Sequence, residues 1–177
     1  MRITEVSAMT LPDVYRLEKE CFSHPWSMDS LEESFYNPNA RFFVCKAPAS
    51  EENREGGPAN ESTSEQVVGY ISFYQIRDEA FLNNVAVTAA FRRQGVGTAL
   101  VKRAAEEAKA NGASFLSLEV RRSNQAAIRL YEDLGFDLEG VRKKFYRDPQ
   151  EDAFLYTLHF EKEVPPCCAD TGKVDFI

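Results

Sequence analysis

Residues 92–98, with the sequence RRQGVGT, have the residue types of an anion-binding turn. They follow a valine-rich apolar run, residues 82–87, which predicts a buried strand, and they precede a helical pattern. Gly95 and Gly97 permit a tight turn and a close approach of main chain to a ligand. Free amides at a helix start bind anions, and the two preceding arginines add charged donors for phosphate oxygens. The segment therefore predicts a pyrophosphate-binding site.

Other interpretations of this segment exist. A glycine-rich turn before a helix is often only punctuation, and the two glycines alone leave that alternative open. A P-loop requires GxxxxGK followed by Ser or Thr, which the segment lacks. A dinucleotide fingerprint requires GxGxxG or GxGxxA directly after a strand. Here Leu100 occupies the position of the third small residue, and the gap from the end of the predicted strand at Val87 to Gly95 is too long. The pyrophosphate interpretation is preferred.

The elements after the turn predict alternating helices and strands. The first helix covers residues 96–111 and ends at Gly112, and the second begins at Ser123 or Asn124 and ends at Gly135. A strand at 113–120 lies between them, and a hairpin of strands 138–146 and 153–160 turns at residues 147–150.

The elements before the turn predict more strands and two short helices. Thr10 and Ser27 have the character of helix caps, for helices that end at about Phe22 and Phe35. Strands are predicted at residues 2–6, 41–47 and 67–76, and a turn at 77–79 makes the last of these antiparallel to 82–87. The lone Trp26 is expected to pack in the core. Together these elements predict an α/β (α+β) fold: a mixed, largely antiparallel sheet flanked by helices.

Two segments have a different composition. Residues 48–66 contain no large apolar side chain and predict a flexible surface insert. Residues 163–177, which include Pro165, Pro166, Cys167 and Cys168, predict a loose tail, so that residues 1–162 make up a single domain.

Composition and charge narrow the class of protein. The 177-residue chain carries a net charge of −7, and its acidic surplus lies in residues 1–91, which hold 14 acids and 7 bases. An acidic chain is poorly suited to nucleic acid and better suited to a cationic substrate. No membrane span or signal-peptide core is visible, and the four cysteines lack a framework spacing. We therefore expect a cytoplasmic protein without a membrane or nucleic-acid partner.

Several motifs together resemble those of the GNAT-type N-acetyltransferases, and most closely the bacterial ribosomal-protein alanine N-acetyltransferases (RimI type). They are RxxGxG from Arg92, LEVRRSNQAAIRLYEDLGF at residues 118–136, PWS at 25–27, NNVAV at 83–87, and the late FYRDPQEDAFLYTL. The resemblance covers about residues 3–160. It implies the GNAT fold and acetyl-CoA as the acetyl donor, with no metal.

The resemblance also implies roles for individual residues. Glu119 matches the family's general base, and Tyr131 matches the general acid that protonates the leaving thiolate. The implied cofactor-binding positions are the main chain of Val85, Ala86 and Val87, the pyrophosphate-binding residues Arg93, Gln94, Gly95, Val96, Gly97 and Thr98, and Asn124. From the residues alone a plainer interpretation stays open: Glu119 faces solvent or an arginine such as Arg121, and Tyr131 packs on the sheet.

The chemistry of amine acylation favours one acceptor class. Deprotonation at pH 7 costs about 1 kcal/mol for an α-amine and about 4.6 kcal/mol for a lysine, so a carboxylate base is adequate for the former. Neither His24 nor His159, the only histidines, has an obvious nucleophile next to it, which predicts direct transfer rather than a covalent intermediate. We expect the acceptor to be a protein N-terminus, most specifically the alanine of a small-subunit ribosomal protein, and the enzyme to be a monomer or weak dimer. Acetylation of a lysine or small amine, and a non-catalytic acyl-CoA sensor, are the alternatives.

Overall fold

Strands of the described residues form one seven-stranded sheet in the order β1-β2-β3-β4-β5-β7-β6. The computed structural model describes residues 1–48 and 65–161. The strands are β1 Arg2–Glu5, β2 Ala40–Pro48, β3 Glu65–Ile76, β4 Glu79–Val87, β5 Phe115–Arg121, β6 Asp137–Arg147 and β7 Gln150–His159. The helices are α1 Leu11–Cys21, α2 Met28–Phe35, α3 Val96–Ala110 and α4 Gln125–Asp133. All neighbouring strands are antiparallel except β4 and β5, which confirms the predicted fold class.

The helices cover the two faces of the sheet unequally. Helices α3 and α4 bury one face, where the core includes Leu100, Leu116 and Tyr131. Helices α1 and α2 cover β2–β4 on the other face, where Trp26 packs at the edge of a second apolar cluster, as the sequence predicts. Gly69 allows α3 to approach β3 closely, because a Cβ there would lie 3.1 Å from Val96 Cγ1 and 3.2 Å from Leu100 Cδ1 of α3.

Local sequence signals set most of the helix ends. The Ser27 hydroxyl accepts the Ser30 N–H at 3.1 Å and caps α2, as predicted. Gly112 and Gly135 have φ values of +84° and end α3 and α4, which is a left-handed conformation suited to glycine. Thr10 is the N-cap residue of α1, as predicted, but its side chain makes no capping bond. The hydroxyl instead accepts the Ser7 N–H at 2.9 Å, because a 3₁₀ turn at Ala8–Thr10 precedes α1.

The insert predicted at residues 48–66 is shorter than its composition suggests. Pro48 ends β2, and Glu65 and Gln66 begin β3, because the register of these two strands pairs Pro48 with Glu65. Strand pairing thus extends into polar sequence. The rest of this prediction, residues 49–64, and the tail predicted at 163–177 lie outside the described residues, as do Cys167 and Cys168.

Strands β4 and β5 separate beyond their first residues. Their pairing consists of Glu79 with Phe115, Ala80 with Leu116 and Phe81 with Ser117, and it goes no further. The register between β3 and β4 shifts at the same level, where Asn83 is the extra residue of a β-bulge. A bulge bends its strand, so β4 turns away from β5 and leaves a gap between them. Within the described residues, no helix is long and apolar enough to cross a membrane.

Candidate active site

The N-terminal end of α3 presents free main-chain amides. The first helical bond runs from the Ala99 N–H to the Gly95 carbonyl at 2.9 Å, so the amides from Gly95 to Thr98 precede the intrahelical pattern. The cap residue Gly95 has φ +81° and supplies no side-chain bond. Arg93 also has a positive φ, of 62°, which is uncommon for a residue with a side chain. These features fit the predicted anion-binding turn.

The side chains beside these amides differ in orientation. Arg92 was expected to add a donor for phosphate, but its Nε donates to the Val87 carbonyl at 2.9 Å and its guanidinium lies 3.8 Å from the Cys21 Sγ. Arg92 thus ties the turn to β4, but the residue stays exposed and its role as a phosphate donor remains a prediction. Arg93 is also exposed, and Gln94 donates to the Ala90 carbonyl at 2.8 Å. Arg93 makes no hydrogen bond with the other described residues, so it is the more available of the two arginines.

Strand β4 turns main-chain groups toward the gap. The Val87 carbonyl bonds to Arg92 rather than to β3. The main-chain N–H and C=O groups of Val87 therefore point away from β3. Val85, two residues earlier and paired with Ile71, has the same orientation. The carbonyl of Val87 is already used within the protein, whereas the main chain of Val85 is directed to the gap. Ala86 points its main chain to the β3 side and its side chain is buried.

Glu119 lies on β5 just beyond the last residue that pairs with β4. Its side chain is 34% exposed, and Oε1 lies 2.9 Å from the Arg142 guanidinium. The sequence suggested Arg121 as a partner, but Arg121 instead contacts Glu151 at 3.4 Å. The strand register explains this difference. Glu119 on β5 and Arg142 on β6 point to the same face of the sheet, with β7 between their strands. Arg121 instead lies at the end of β5, next to the β6–β7 turn. The carboxylate is accessible from solvent.

Tyr131 is 4% exposed in α4, packed against Phe136 with the ring centroids 5.5 Å apart. It does pack on the sheet, as the plainer interpretation held. Burial, and secondarily the charge of Tyr146, raises the pKa of Tyr131 above its usual range. The raised pKa keeps the Tyr131 hydroxyl protonated, and it also makes that hydroxyl a weaker acid.

An open cleft of about 310 Å³ lies next to the carboxyl end of β5. Its lining consists of His24 from the α1–α2 connection, Arg121, and Phe145, Tyr146, Arg147 and Asp148 from the β6–β7 hairpin. His24 Nε2 lies 3.7 Å from the Asp148 carboxylate, so the two walls meet. Burial raises the pKa of Tyr146 despite the opposing effect of Arg121, whose guanidinium lies 4.1 Å from the Tyr146 ring centroid. The Tyr146 hydroxyl donates to the Glu119 carbonyl at 3.5 Å, which places the cleft beside Glu119.

Sequence reasoning gave no role to this cleft. The segment FYRDPQ counted only as a supporting motif, and a pair of aromatic residues before a turn was the one local signal available.

Asn124, predicted to contact the cofactor, caps α4 by accepting the Ala127 N–H at 3.2 Å, and its amide N–H groups remain available. Gly97 lies where a Cβ would be 3.3 Å from Leu130 Cδ2 and 4.0 Å from Val87 Cγ2, between α3, α4 and β4.

Comparison with known proteins defines the class. Residues 11–136 match the acetyltransferase (GNAT) family. The chain is 32% identical over 159 residues to the [ribosomal protein bS18]-alanine N-acetyltransferase of Salmonella typhimurium, covering 88% of this chain and 95% of that protein. The crystal structure of the ribosomal-protein-S18-alanine N-acetyltransferase from Escherichia coli is similar at a TM-score of 0.74 and 28% identity, with 93% of this chain and 97% of that chain covered.

A more distant likeness supports the fold. Arabidopsis thaliana NAA60, solved in complex with acetyl-CoA, has a TM-score of 0.76 at 13% identity and covers 90% of this chain and 99% of its own. The chain belongs to the GNAT acetyltransferase family. Within that family it is similar to the bacterial alanine N-acetyltransferases, which confirms the resemblance that the sequence motifs indicate.

Proposed function

We propose that this protein transfers the acetyl group of acetyl-CoA directly to the α-amine of a protein N-terminus, most specifically the N-terminal alanine of a small-subunit ribosomal protein. The observation that supports this most strongly is the gap between β4 and β5. The free main-chain amides of α3 follow the carboxyl end of β4, and Glu119 lies on β5 at the point where the two strands separate. The names of the related bacterial enzymes supply the particular acceptor.

The residues of this chain fit acetyl-CoA. A diphosphate matches the amides from Gly95 to Thr98, together with the exposed Arg93, because it accepts several hydrogen bonds at a positive helix end. An extended amide-containing arm matches the main chain that Val85 turns toward the gap. When bound, the thioester supplies the activated acetyl group. No metal is needed for this chemistry, since the acceptor is a primary amine.

Glu119 and Tyr131 divide the proton transfers in this proposal. Glu119 takes the proton from the acceptor amine, directly or through one water, using the carboxylate oxygen that Arg142 does not hold. Tyr131 donates its proton to the departing sulfur, and its raised pKa means that the proton is present at any physiological pH. Arg142 orients Glu119 from the β6 side. The reaction thus needs no covalent enzyme intermediate.

The cleft beside Glu119 is the proposed entrance for the acceptor. Phe145, 45% exposed, and the half-buried Tyr146 offer apolar surface for a small first side chain. The contact between His24 and Asp148 bounds the opening, which favours a chain end over an internal lysine on a folded surface. A cytoplasmic location belongs to the same proposal, and the free thiols Cys21 and Cys45 suit a reducing compartment.

A peptide panel tests the proposal. The purified protein is incubated with acetyl-CoA and three peptides of one sequence: a free N-terminal alanine, the same peptide with a blocked α-amine, and the blocked peptide with an internal lysine. Mass spectrometry should show acetylation of the first alone. Acetylation of the lysine peptide would make the enzyme a lysine or small-amine acetyltransferase instead. Tight acetyl-CoA binding without transfer to any amine would leave an acyl-CoA sensor.

A further inference from the structure

Glu18 is a fully buried carboxylate outside the site described above. It lies on the sheet-facing side of α1 with 0% of its surface exposed. Oε2 accepts the main-chain N–H of Trp26 at 2.8 Å, and Oε1 accepts the Asn84 amide at 2.8 Å and also the Tyr70 hydroxyl. Among the described residues, no cation forms an ion pair with Glu18. Three neutral donors from three other elements therefore converge on one side chain.

Such an arrangement is costly for stability alone. Burial of a carboxylate without a cation is unfavourable, and an apolar side chain of similar size is often as stable or more so. A carboxylate is nevertheless the one small side chain that accepts hydrogen bonds on both terminal atoms and donates none when ionised. It can hold donors from several directions at the same time. This property suggests that Glu18 serves to join its partners.

Two of those partners belong to the walls of the proposed site. Trp26 lies in the connection between α1 and α2, two residues after His24, which reaches Asp148 across the acceptor cleft. Asn84 follows the bulge at Asn83, where β4 leaves β5. Tyr70, in contrast, lies within β3 and belongs to neither wall.

We propose that Glu18 is a positioning residue that ties the α1–α2 connection to the bulged part of β4, and so sets the separation between the acceptor entrance and the gap. This inference rests on the proposed function. Loss of the tie displaces the acceptor from the acetyl group. The turn before α3 keeps its own contacts with α1, because Glu20 holds Thr88 and Ala89 and Cys21 contacts Arg92. Acceptor binding should therefore suffer much more than acetyl-CoA binding.

A charge-preserving exchange tests the tie. Glu18→Gln sets an amide N–H₂ against the amide of Asn84, and Asn84→Asp sets a second carboxylate against Glu18. The double variant restores a donor–acceptor pair with the same net charge, now with the donor on α1. Loss of a buried hydrogen bond to a charged group corresponds to about ten- to one-hundredfold in an equilibrium. Each single variant should raise the KM for the alanine peptide by about that factor, and the double variant should recover most of the loss.

Tyr70→Phe is the matched control. It removes a donor from the same carboxylate but touches neither wall, so it should lower the thermal midpoint and leave the KM for the peptide unchanged. Acetyl-CoA affinity, measured by calorimetry well below the thermal midpoint, should fall in every variant by a much smaller factor than that by which the peptide KM rises in Glu18→Gln. Should Glu18→Gln or the double variant fail to fold, Asn84→Ala, which removes only the β4 bond, should still raise the peptide KM.

Hydrogen exchange gives a readout that does not depend on activity. In Glu18→Gln, exchange should rise together in residues 22–27 and in residues 82–87, and stay unchanged in α3. Any one of four results would overturn the inference. These are a parallel loss of peptide and acetyl-CoA affinity, equal effects of Tyr70→Phe and Glu18→Gln on the peptide KM, no recovery in the double variant, and faster exchange in one segment only. A wild-type protein that acetylates no α-amine would instead refute the proposed function, and the exchange result would still decide whether Glu18 joins the two segments.

Discussion

Replacement of Glu119 by glutamine is the most informative perturbation of the proposed chemistry. The amide has the same shape as the carboxylate but cannot accept the proton of the acceptor amine. A positioned general base contributes about 10²- to 10⁴-fold to the rate of such a step. The loss should be largest below about pH 8, where an α-amine is mostly protonated, and should narrow at higher pH, where the amine arrives already neutral.

The structure limits how much of this loss could come from unfolding. Glu119 makes a single 2.9 Å contact with Arg142, and the two side chains are 34% and 54% exposed. An exposed ion pair contributes at most about 1 kcal/mol to stability. For a chain of this size, that lowers the thermal midpoint by about 2–4 °C at most. A hundredfold loss of activity with a nearly unchanged midpoint therefore has a chemical cause.

The assay is steady-state acetylation of the alanine peptide from pH 6.5 to 9.5, together with calorimetric titration by acetyl-CoA. Glu139→Gln is the control, because Glu139 is an exposed carboxylate on β6, bonded to Thr157 and His159 and outside the site. Its activity should match that of the wild type. A loss in Glu119→Gln that is equal at all pH values, or a parallel loss of acetyl-CoA affinity, would refute the base role and make Glu119 a structural residue.

Three further predictions concern the helix mouth, the acid and the packing of the sheet. Gly97→Val should weaken acetyl-CoA binding at least tenfold by placing a branched side chain between α3 and β4, and unchanged calorimetric affinity would mean that the diphosphate binds elsewhere. Tyr131→Phe should lower kcat with little change in acetyl-CoA affinity. Because the pKa of Tyr131 is raised, the stability of the wild type should fall relative to that of this variant as the pH rises above about 10. Equal alkaline unfolding curves for the two proteins would contradict the burial of Tyr131. Gly69→Ala should cost about 1–3 kcal/mol by overpacking, whereas Gly140→Ala, with open space around its Cβ, should leave the thermal midpoint unchanged, and equal midpoints for the two variants would refute the close approach of α3.

Sequence reasoning succeeded where the cause is local. Ser27, Gly112 and Gly135 end or begin helices through bonds and dihedral angles that involve only a few neighbouring residues. The free amides after Gly95 follow from the same kind of signal. All of these features were predictable without the rest of the chain, and Gly95 also marks the position of the predicted anion-binding turn after β4.

Sequence reasoning failed where the cause is a pairing between distant segments. The contacts of Arg92 are with the Val87 carbonyl and with Cys21, which lies 71 residues away along the chain. The partner of Glu119 is Arg142 because β7 lies between β5 and β6, an order that no local pattern encodes. Glu18 occupies an ordinary helical position in the sequence, and its donors come from three separate elements.

Backbone NMR of the isotope-labelled protein during titration with acetyl-CoA tests the central claim most directly. The account predicts saturable shifts of the amide resonances of Gly95, Val96, Gly97 and Thr98, together with slower exchange of their protons, because a diphosphate bonds to them. Saturation by acetyl-CoA with these four resonances unchanged, or no binding at all, would contradict it.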